Sequence, residues 1–313
     1  MRDVFGIVAK WLDEGRRFAL ATLVDLREAA TAPLGTTVAV DADASVYGNI
    51  GAGCYESEIV EACLKTAADG QTRLLDISLT SEDEILGGTA CGAVMQVLVW
   101  RPALEFAAQA RAIASGERAA RLRIEHQSGA ARVEFEHLFE PKEQLILVGA
   151  TAVAAELAML ARRLDYDTIV IDPRPSYATS DRVPDATRIL RAWPDDVLAD
   201  LLSDSTPIVV LSHDPKFDLP ALRCALRSNA PYIGLLGSRR SQAARRATLA
   251  QEGFDERALA RIHGPVGLDL GGVTVAETAL SILAEIVADR RGGEGAPLRA
   301  AAGAIHRHRA CAP

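Results

Sequence analysis

Several features that would assign this 313-residue chain to a class at once are missing from it. No apolar stretch approaches the roughly 20 residues that a membrane helix needs, so no membrane span is expected. There is no basic excess either. Lys and Arg number 34 against 42 Asp and Glu, a formal charge of -8. A nucleic-acid binder usually carries a basic face, so no nucleic-acid partner is expected. Cysteine is scarce, and its five residues are irregularly spaced. That makes no disulfide framework in a chain this long and points to a reducing cytoplasm. No Cys-x-x-Cys or His pair accompanies the cysteines, which argues against a structural zinc site. Met1-Arg2-Asp3 leads into a mixed helix rather than a signal peptide.

What is present suits two domains. Hydrophobic residues make up 49% and charged residues 24%, ordinary for a globular protein. The organising stretch runs from Leu145 to Asp172. Leu145-Ile146-Leu147-Val148 is a continuous apolar run of the kind buried on both faces of a parallel sheet. It breaks at Gly149, a small-residue helix follows to Leu164, and a second run, Thr168–Ile171, ends in Asp172. Strand, glycine turn, helix, strand and terminal acid form the layout of a dinucleotide-binding βαβ unit. The turn departs from G-x-G-x-x-G/A at its second glycine. Thr151 stands there, and its branched Cβ occupies the place of a pyrophosphate. A βαβ unit without a nucleotide is the alternative.

Before this unit the chain alternates short strands with glycine necks. An amphipathic helix over residues 4–14 precedes the strand 18–24, and Asp41-Ala42-Asp43 reads as a hairpin turn. Gly51-Ala52-Gly53-Cys54 then opens a helix over 57–67. A helix N-terminus lowers a thiol's pKa, so Cys54 is a candidate thiolate, sulfur carrier or metal ligand, or else a cysteine packed beside a tight turn. Cys63, among Ile59, Val60 and Leu64, reads as core. Cys91, in the neck Gly87–Gly92 before the strand 94–100, is the second candidate thiol. Residues 1–102 are expected as one domain and 103–141 as a connector holding a helix and a strand pair. A Rossmann-like domain is expected over 142–292 and a flexible tail over 293–313. His306, His308 and Cys311 in that tail read as a frayed terminus.

After Asp172, Pro173-Arg174-Pro175 keeps a guanidinium near the acid. Asp172 could take a ribose hydroxyl and Arg174 a phosphate, or the two could pair to fix a loop. The fourth strand, 207–211, delivers Ser212-His213-Asp214 to the edge where ligands gather in open α/β sheets. Consecutive Ser, His and Asp make no hydrolase triad. His213 reads as one ligand-facing or acid–base group, or as a hydrogen-bonded structural histidine. Asp218 is expected to cap the next helix and Cys224 to join the core. Gly237-Ser238-Arg239-Arg240 opens a long helix, and a glycine, a hydroxyl and two guanidiniums there make an anion site or a solvated basic face. The loop Gly264–Gly272, carrying Asp269, is too glycine-rich for mere connection, and Thr274 with Glu277 forms a capping box for the last helix.

Together these segments resemble the xanthine dehydrogenase accessory factor (XdhC/CoxI) family. SHDPKFDLPAL (212–222), YIGLLGSRRS (232–241), GFDERALARIHGPVGLDLGG (253–272) and ALSILAEIVADRRGG (279–293) look like its C-terminal domain. FALATLVDL (18–26), GNIGAGCYESEIVEAC (48–63) and CGAVMQVLV (91–99) look like its N-terminal domain. The resemblance implies an α/β protein, an N-terminal mixed α/β domain followed by a Rossmann-like doubly wound parallel sheet. It also implies a chaperone without turnover of its own. Such a protein binds molybdenum cofactor (molybdopterin or its cytosine dinucleotide form), supports its sulfuration and inserts it into an apo molybdenum hydroxylase of the xanthine dehydrogenase or CO dehydrogenase type. It works as a homodimer beside a cysteine desulfurase. On this reading the cofactor-binding positions are Gly149, Thr151, Asp172, Arg174, Ser212, His213, Asp214, Gly237, Ser238, Arg239, Arg240 and Asp269. Cys54 and Cys91 are the candidate molybdenum ligands, since the metal is thiophilic. The alternative is an NAD(P)-dependent oxidoreductase using the βαβ unit. Departures from the family pattern cluster at glycine and anion positions: Thr151, Ala52, Ala93, Leu34 in a loop that has lost its arginine, and Val275-Ala276 after Thr274. The chain reads as a divergent member.

Overall fold

The computed structural model describes residues 2–27, 32–50, 55–78, 94–128 and 131–300. They fall into two compact units that divide between Pro141 and Lys142.

In the first unit, α1 (Arg2–Asp13), β1 (Phe18–Arg27), β2 (Thr37–Asp41), β3 (Val46–Tyr47), α2 (Glu56–Asp69), β4 (Arg73–Ser78) and β5 (Val94–Trp100) follow in order. The strands pair antiparallel as β3-β2-β1-β5-β4. Alternation sends Leu20 and Leu98 to one face and Ala21, Leu23, Val97 and Val99 to the other. α2 covers the second face with Ile59, Ala62 and Cys63. Cys63 is fully buried, and burial pushes its thiol up to about 12, so it is an inert core residue. The stretch expected as a connector forms α3 (Phe106–Ser115) and the hairpin β6 (Ala120–Ser128) and β7 (Ala131–Phe139). Ala110, Ile113, Leu122 and Phe139 pack with Phe5 and Val8 of α1 into one core, so residues 103–141 are built into the first unit.

The second unit is a six-stranded parallel sheet. It contains β8 (Glu143–Val148), α4 (Ala152–Arg163), β9 (Tyr166–Ile171), β10 (Arg188–Leu190), α5 (Pro194–Leu201), β11 (Ile208–Val210), α6 (Pro215–Arg227), β12 (Ile233–Leu235), α7 (Arg239–Gln251), α8 (Glu256–Leu259), β13 (Ile262–His263) and α9 (Val275–Arg291). The spatial order is β10-β9-β8-β11-β12-β13, every pair parallel. Counted from β8 this is 3-2-1-4-5-6, the doubly wound order of dinucleotide folds. The apolar runs are continuous because both faces are covered. Leu145, Leu147, Val170 and Val209 pack against α4 and α9, while Ile146, Val148, Ile171 and Val210 pack against α5, α6 and α7. Chain order reverses between β8 and β11, so the crevice for a ligand opens at the carboxyl ends of those two strands. The capping box of Thr274 and Glu277 forms as expected and starts α9.

Candidate functional site

The loops leaving β8, β9, β11, β12 and β13 carry every described residue of the expected cofactor set. Gly149 adopts φ +103, and a Cβ there would lie 3.0–3.2 Å from Ser212, including its backbone. The glycine is therefore what lets the β8 and β11 loops touch at the switch point. Thr151 is the N-cap of α4, its hydroxyl accepting from the Ala154 N–H at 3.2 Å. The residue that replaces the second glycine thus spends its oxygen on an orphan helix donor.

Asp172 is fully buried and saturated. Its Oδ1 accepts from the backbone N–H and Nε of Arg174, both at 2.9 Å, and its Oδ2 from Ala150 N–H at 2.9 Å and Arg174 Nη2 at 2.7 Å. Burial pushes the carboxyl up, but the guanidinium and the two backbone donors outweigh it and hold it below the usual carboxylate range. Four donors fill the roughly four lone-pair positions of a carboxylate, which leaves none for a ribose diol. For Asp172 the structure thus builds the loop-fixing role rather than the ribose one, while Arg174 spends Nε and Nη2 on the pair and keeps Nη1 outside it. The hydrogen-bonded Asp172 carboxylate in turn raises Arg174 against the opposing effect of burial, with smaller contributions from Tyr177 and Asp214.

After β11, Asp214 rather than Asp218 is the N-cap of α6, accepting from Lys216 N–H at 2.9 Å with Pro215 in the first turn. This corrects the expectation for Asp218, and the reason is the Asp-Pro pair: proline suits a first helical position and leaves the preceding acid as cap. Asp218 lies a turn further on, fully buried, and accepts from the Ser212 hydroxyl and from Nη2 of the buried Arg245 in α7. Burial raises its pKa against the pull of Ser212, Arg245 and His213. Ser212 is thereby anchored, also accepting from Asp214 N–H at 3.3 Å. His213 is exposed at φ +64, a left-handed backbone that a residue with a Cβ adopts only when its surroundings impose it. Cys224, expected in the core, is half-buried at the margin of the α6 cluster.

Past β12, Gly237 has φ +144, and Ser238 is the N-cap of α7, accepting from Ser241 N–H at 3.2 Å. Arg239 and Arg240 follow, both exposed, with no acid in the first turn. Cations there oppose the helix dipole by about 0.3–1 kcal/mol each, so helix formation does not account for them. Asp269 is exposed in the β13 loop and accepts from Gly271 N–H at 3.3 Å. Direct contacts thus join the β8, β9 and β11 loops and α7. The arginine pair sits at the neighbouring strand end. Cys54 and Cys91, with their glycine necks, lie outside the described residues, as does the tail beyond residue 300. Among the described residues there is no group of three or more His, Cys, Asp or Glu able to hold a metal ion. No helix among them is long and apolar enough to cross a membrane.

Sequence reasoning missed the Asp218–Arg245 pair and a ring cluster at the same edge. Arg174 lies 3.9 Å over Tyr177 and 5.3 Å from Phe217, and Phe217 meets Trp193 at 5.2 Å. The available signal was that the second unit has only six aromatics, three of them on segments that follow consecutive strands.

Comparison with known proteins agrees with this architecture. The XdhC Rossmann domain description matches residues 145–286, and the XdhC and CoxI family description matches residues 11–78. Uncharacterized protein YqeB of Escherichia coli is 26% identical over 94% of the chain and 47% of its own length. A Bacillus subtilis protein described as a probable xanthine dehydrogenase subunit is 34% identical over 49% of the chain and 44% of its own length. The chain thus spans under half the length of those two relatives. PaoD of Escherichia coli, a molybdenum cofactor insertion chaperone, is 25% identical over 92% of the chain and 88% of its own length. A crystal structure described as a xanthine dehydrogenase from Bacillus halodurans superposes with a TM-score of 0.75 at 21% identity, over 92% of this chain and 96% of that one, and shares the fold. With both domain descriptions matched in order along one chain, the protein belongs to the XdhC/CoxI family.

Proposed function

We propose that this protein binds molybdenum cofactor as cargo, supports its sulfuration and delivers it to a hydroxylase of the xanthine dehydrogenase or CO dehydrogenase type. The observation that carries the reading is the near end-to-end similarity to PaoD on a chain whose α7 opens with two exposed arginines at the edge of the parallel sheet. The cargo's phosphate would meet Arg239, Arg240 and the open end of α7, where charge-assisted hydrogen bonds are strong. The β11 loop, pinned by Ser212 and Asp218, would present His213 to the same crevice. Cys54 and Cys91 are the thiols assigned to the metal, and a cysteine desulfurase and a second copy of the chain are the partners this role implies. The cargo supplies the redox and oxo-transfer chemistry, and only after it has reached its client.

The nicotinamide alternative is disfavoured by two contacts. Asp172 has no acceptor left for a ribose diol, and Thr151 fills the second glycine position. The test is reconstitution. The purified protein loaded with the cofactor should restore activity to a cofactor-free molybdenum hydroxylase faster than free cofactor does, without catalysing substrate oxidation alone. Failure to activate any such client, or a nicotinamide-dependent turnover, would overturn the reading.

A further inference from the structure

The ring cluster beside Arg174 has no part in the scheme above and leaves two of its three rings partly open to water. Trp193, the N-cap of α5, is 45% exposed, and Tyr177 is 40% exposed. Phe217, on the first turn of α6, is buried behind Trp193, with ring centroids 5.2 Å apart and planes tilted by 54°. Arg174 touches the same Phe217 ring and stacks on Tyr177, while Arg182 lies 4.7 Å over the Tyr177 ring. Asp172 grips Arg174 from below through Nε and Nη2. A half-exposed indole and Arg174 therefore share the Phe217 ring, and Arg174 and Arg182 both lie over Tyr177. All of this lies on the α5–α6 side of the crevice, at the ends of β9, β10 and β11.

We propose that Trp193, backed by Phe217, is a stacking platform for a nucleobase, and that Tyr177 and Asp172 aim Arg174 and Arg182 at the phosphate it carries. The ligand class is a nucleoside phosphate, and for its identity as part of the cargo the inference rests on the cofactor reading above. The chain would thus accept the dinucleotide form of the cofactor, its nucleotide arm lying along this side of the crevice. Stacking of a base on an aromatic ring tolerates any base, so the platform selects for a nucleotide rather than for one base. Saturated Asp172 adds a signature. A ribose hydroxyl is not read here, so a 2′-deoxy nucleotide should bind as well as its ribose counterpart. That separates the subsite from a nicotinamide-type ribose site, where the acid takes the 2′-hydroxyl.

The experiment is calorimetric titration of the full chain with CDP, ADP, dCDP and the pterin neopterin. CDP and ADP should bind with similar affinity, dCDP should match CDP, and neopterin should bind at least tenfold more weakly. Trp193→Ala should weaken CDP by roughly tenfold or more, the scale of one lost base–aromatic contact. Trp193→Phe should restore most of it. Nucleotides that fail to bind at millimolar concentration, an unchanged affinity in Trp193→Ala, or a tenfold preference for CDP over dCDP would each overturn the proposal. Its failure is distinguishable from that of the chaperone reading. Cofactor delivery with no nucleotide binding removes only the platform, whereas nucleotide binding without delivery removes only the chaperone role.

Discussion

An Asp218→Ala variant should lose about 3–5 kcal/mol of stability, because it strands the buried Arg245 guanidinium without its counter-charge. Asp218 has no exposure and Arg245 only 7%, so water cannot replace the carboxylate. Arg245 already has one buried N–H, at Nε, with no partner among the described residues. A cost of that size should lower the melting temperature by on the order of 10 °C, measured by calorimetry or circular dichroism. Replacing both partners at once, Asp218→Ala with Arg245→Met, should cost far less than the single change, since no charge is then stranded. Equal losses in the single and double variants would mean the pair is not the buried unit described. The consequence reaches the site. Ser212 loses its Asp218 acceptor and keeps only the longer contacts to Asp214, which loosens the loop that holds His213 in a left-handed backbone at the switch point.

Reversing the arginine pair, with Arg239→Glu and Arg240→Glu together, should leave the chain no less stable, with a gain on the order of 1 kcal/mol from the helix dipole, and cut affinity for the anionic cargo by on the order of 100-fold. Both side chains are exposed, and acids in the first turn of α7 favour the helix through its dipole. Lost binding in this variant cannot then be unfolding. Equilibrium titration at two ionic strengths reads the effect. The unaltered chain should weaken with added salt, and the reversed variant should be flat or improve slightly. Unchanged affinity would move the anion site away from α7.

The parallel sheet was legible in the sequence because its strands are buried on both faces. Runs such as Leu145–Val148 and Pro207–Leu211 have no polar alternation to confuse them with half-exposed strands. Helix starts were legible where a side chain caps its own backbone, as at Ser238 and Thr274. What the sequence hid depends on residues far apart along the chain. Asp218 looks like a cap until Arg245, on the next helix, is placed against it. Residues 103–141 look like a connector because their apolar face meets α1, about a hundred residues earlier. Asp172 looks like a ribose acid until the chain folds Ala150 N–H and Arg174 onto it. The ring cluster is assembled from three separate segments, and nothing in any one of them shows that their rings meet.

The most direct test of the central claim is metal and pterin analysis of the protein isolated from a molybdenum-replete host. The account predicts molybdenum and pterin together, near one of each per chain, with both lost in the Arg239→Glu, Arg240→Glu variant. Protein that is folded and pure yet carries neither, or that carries them equally in the reversed variant, would contradict it.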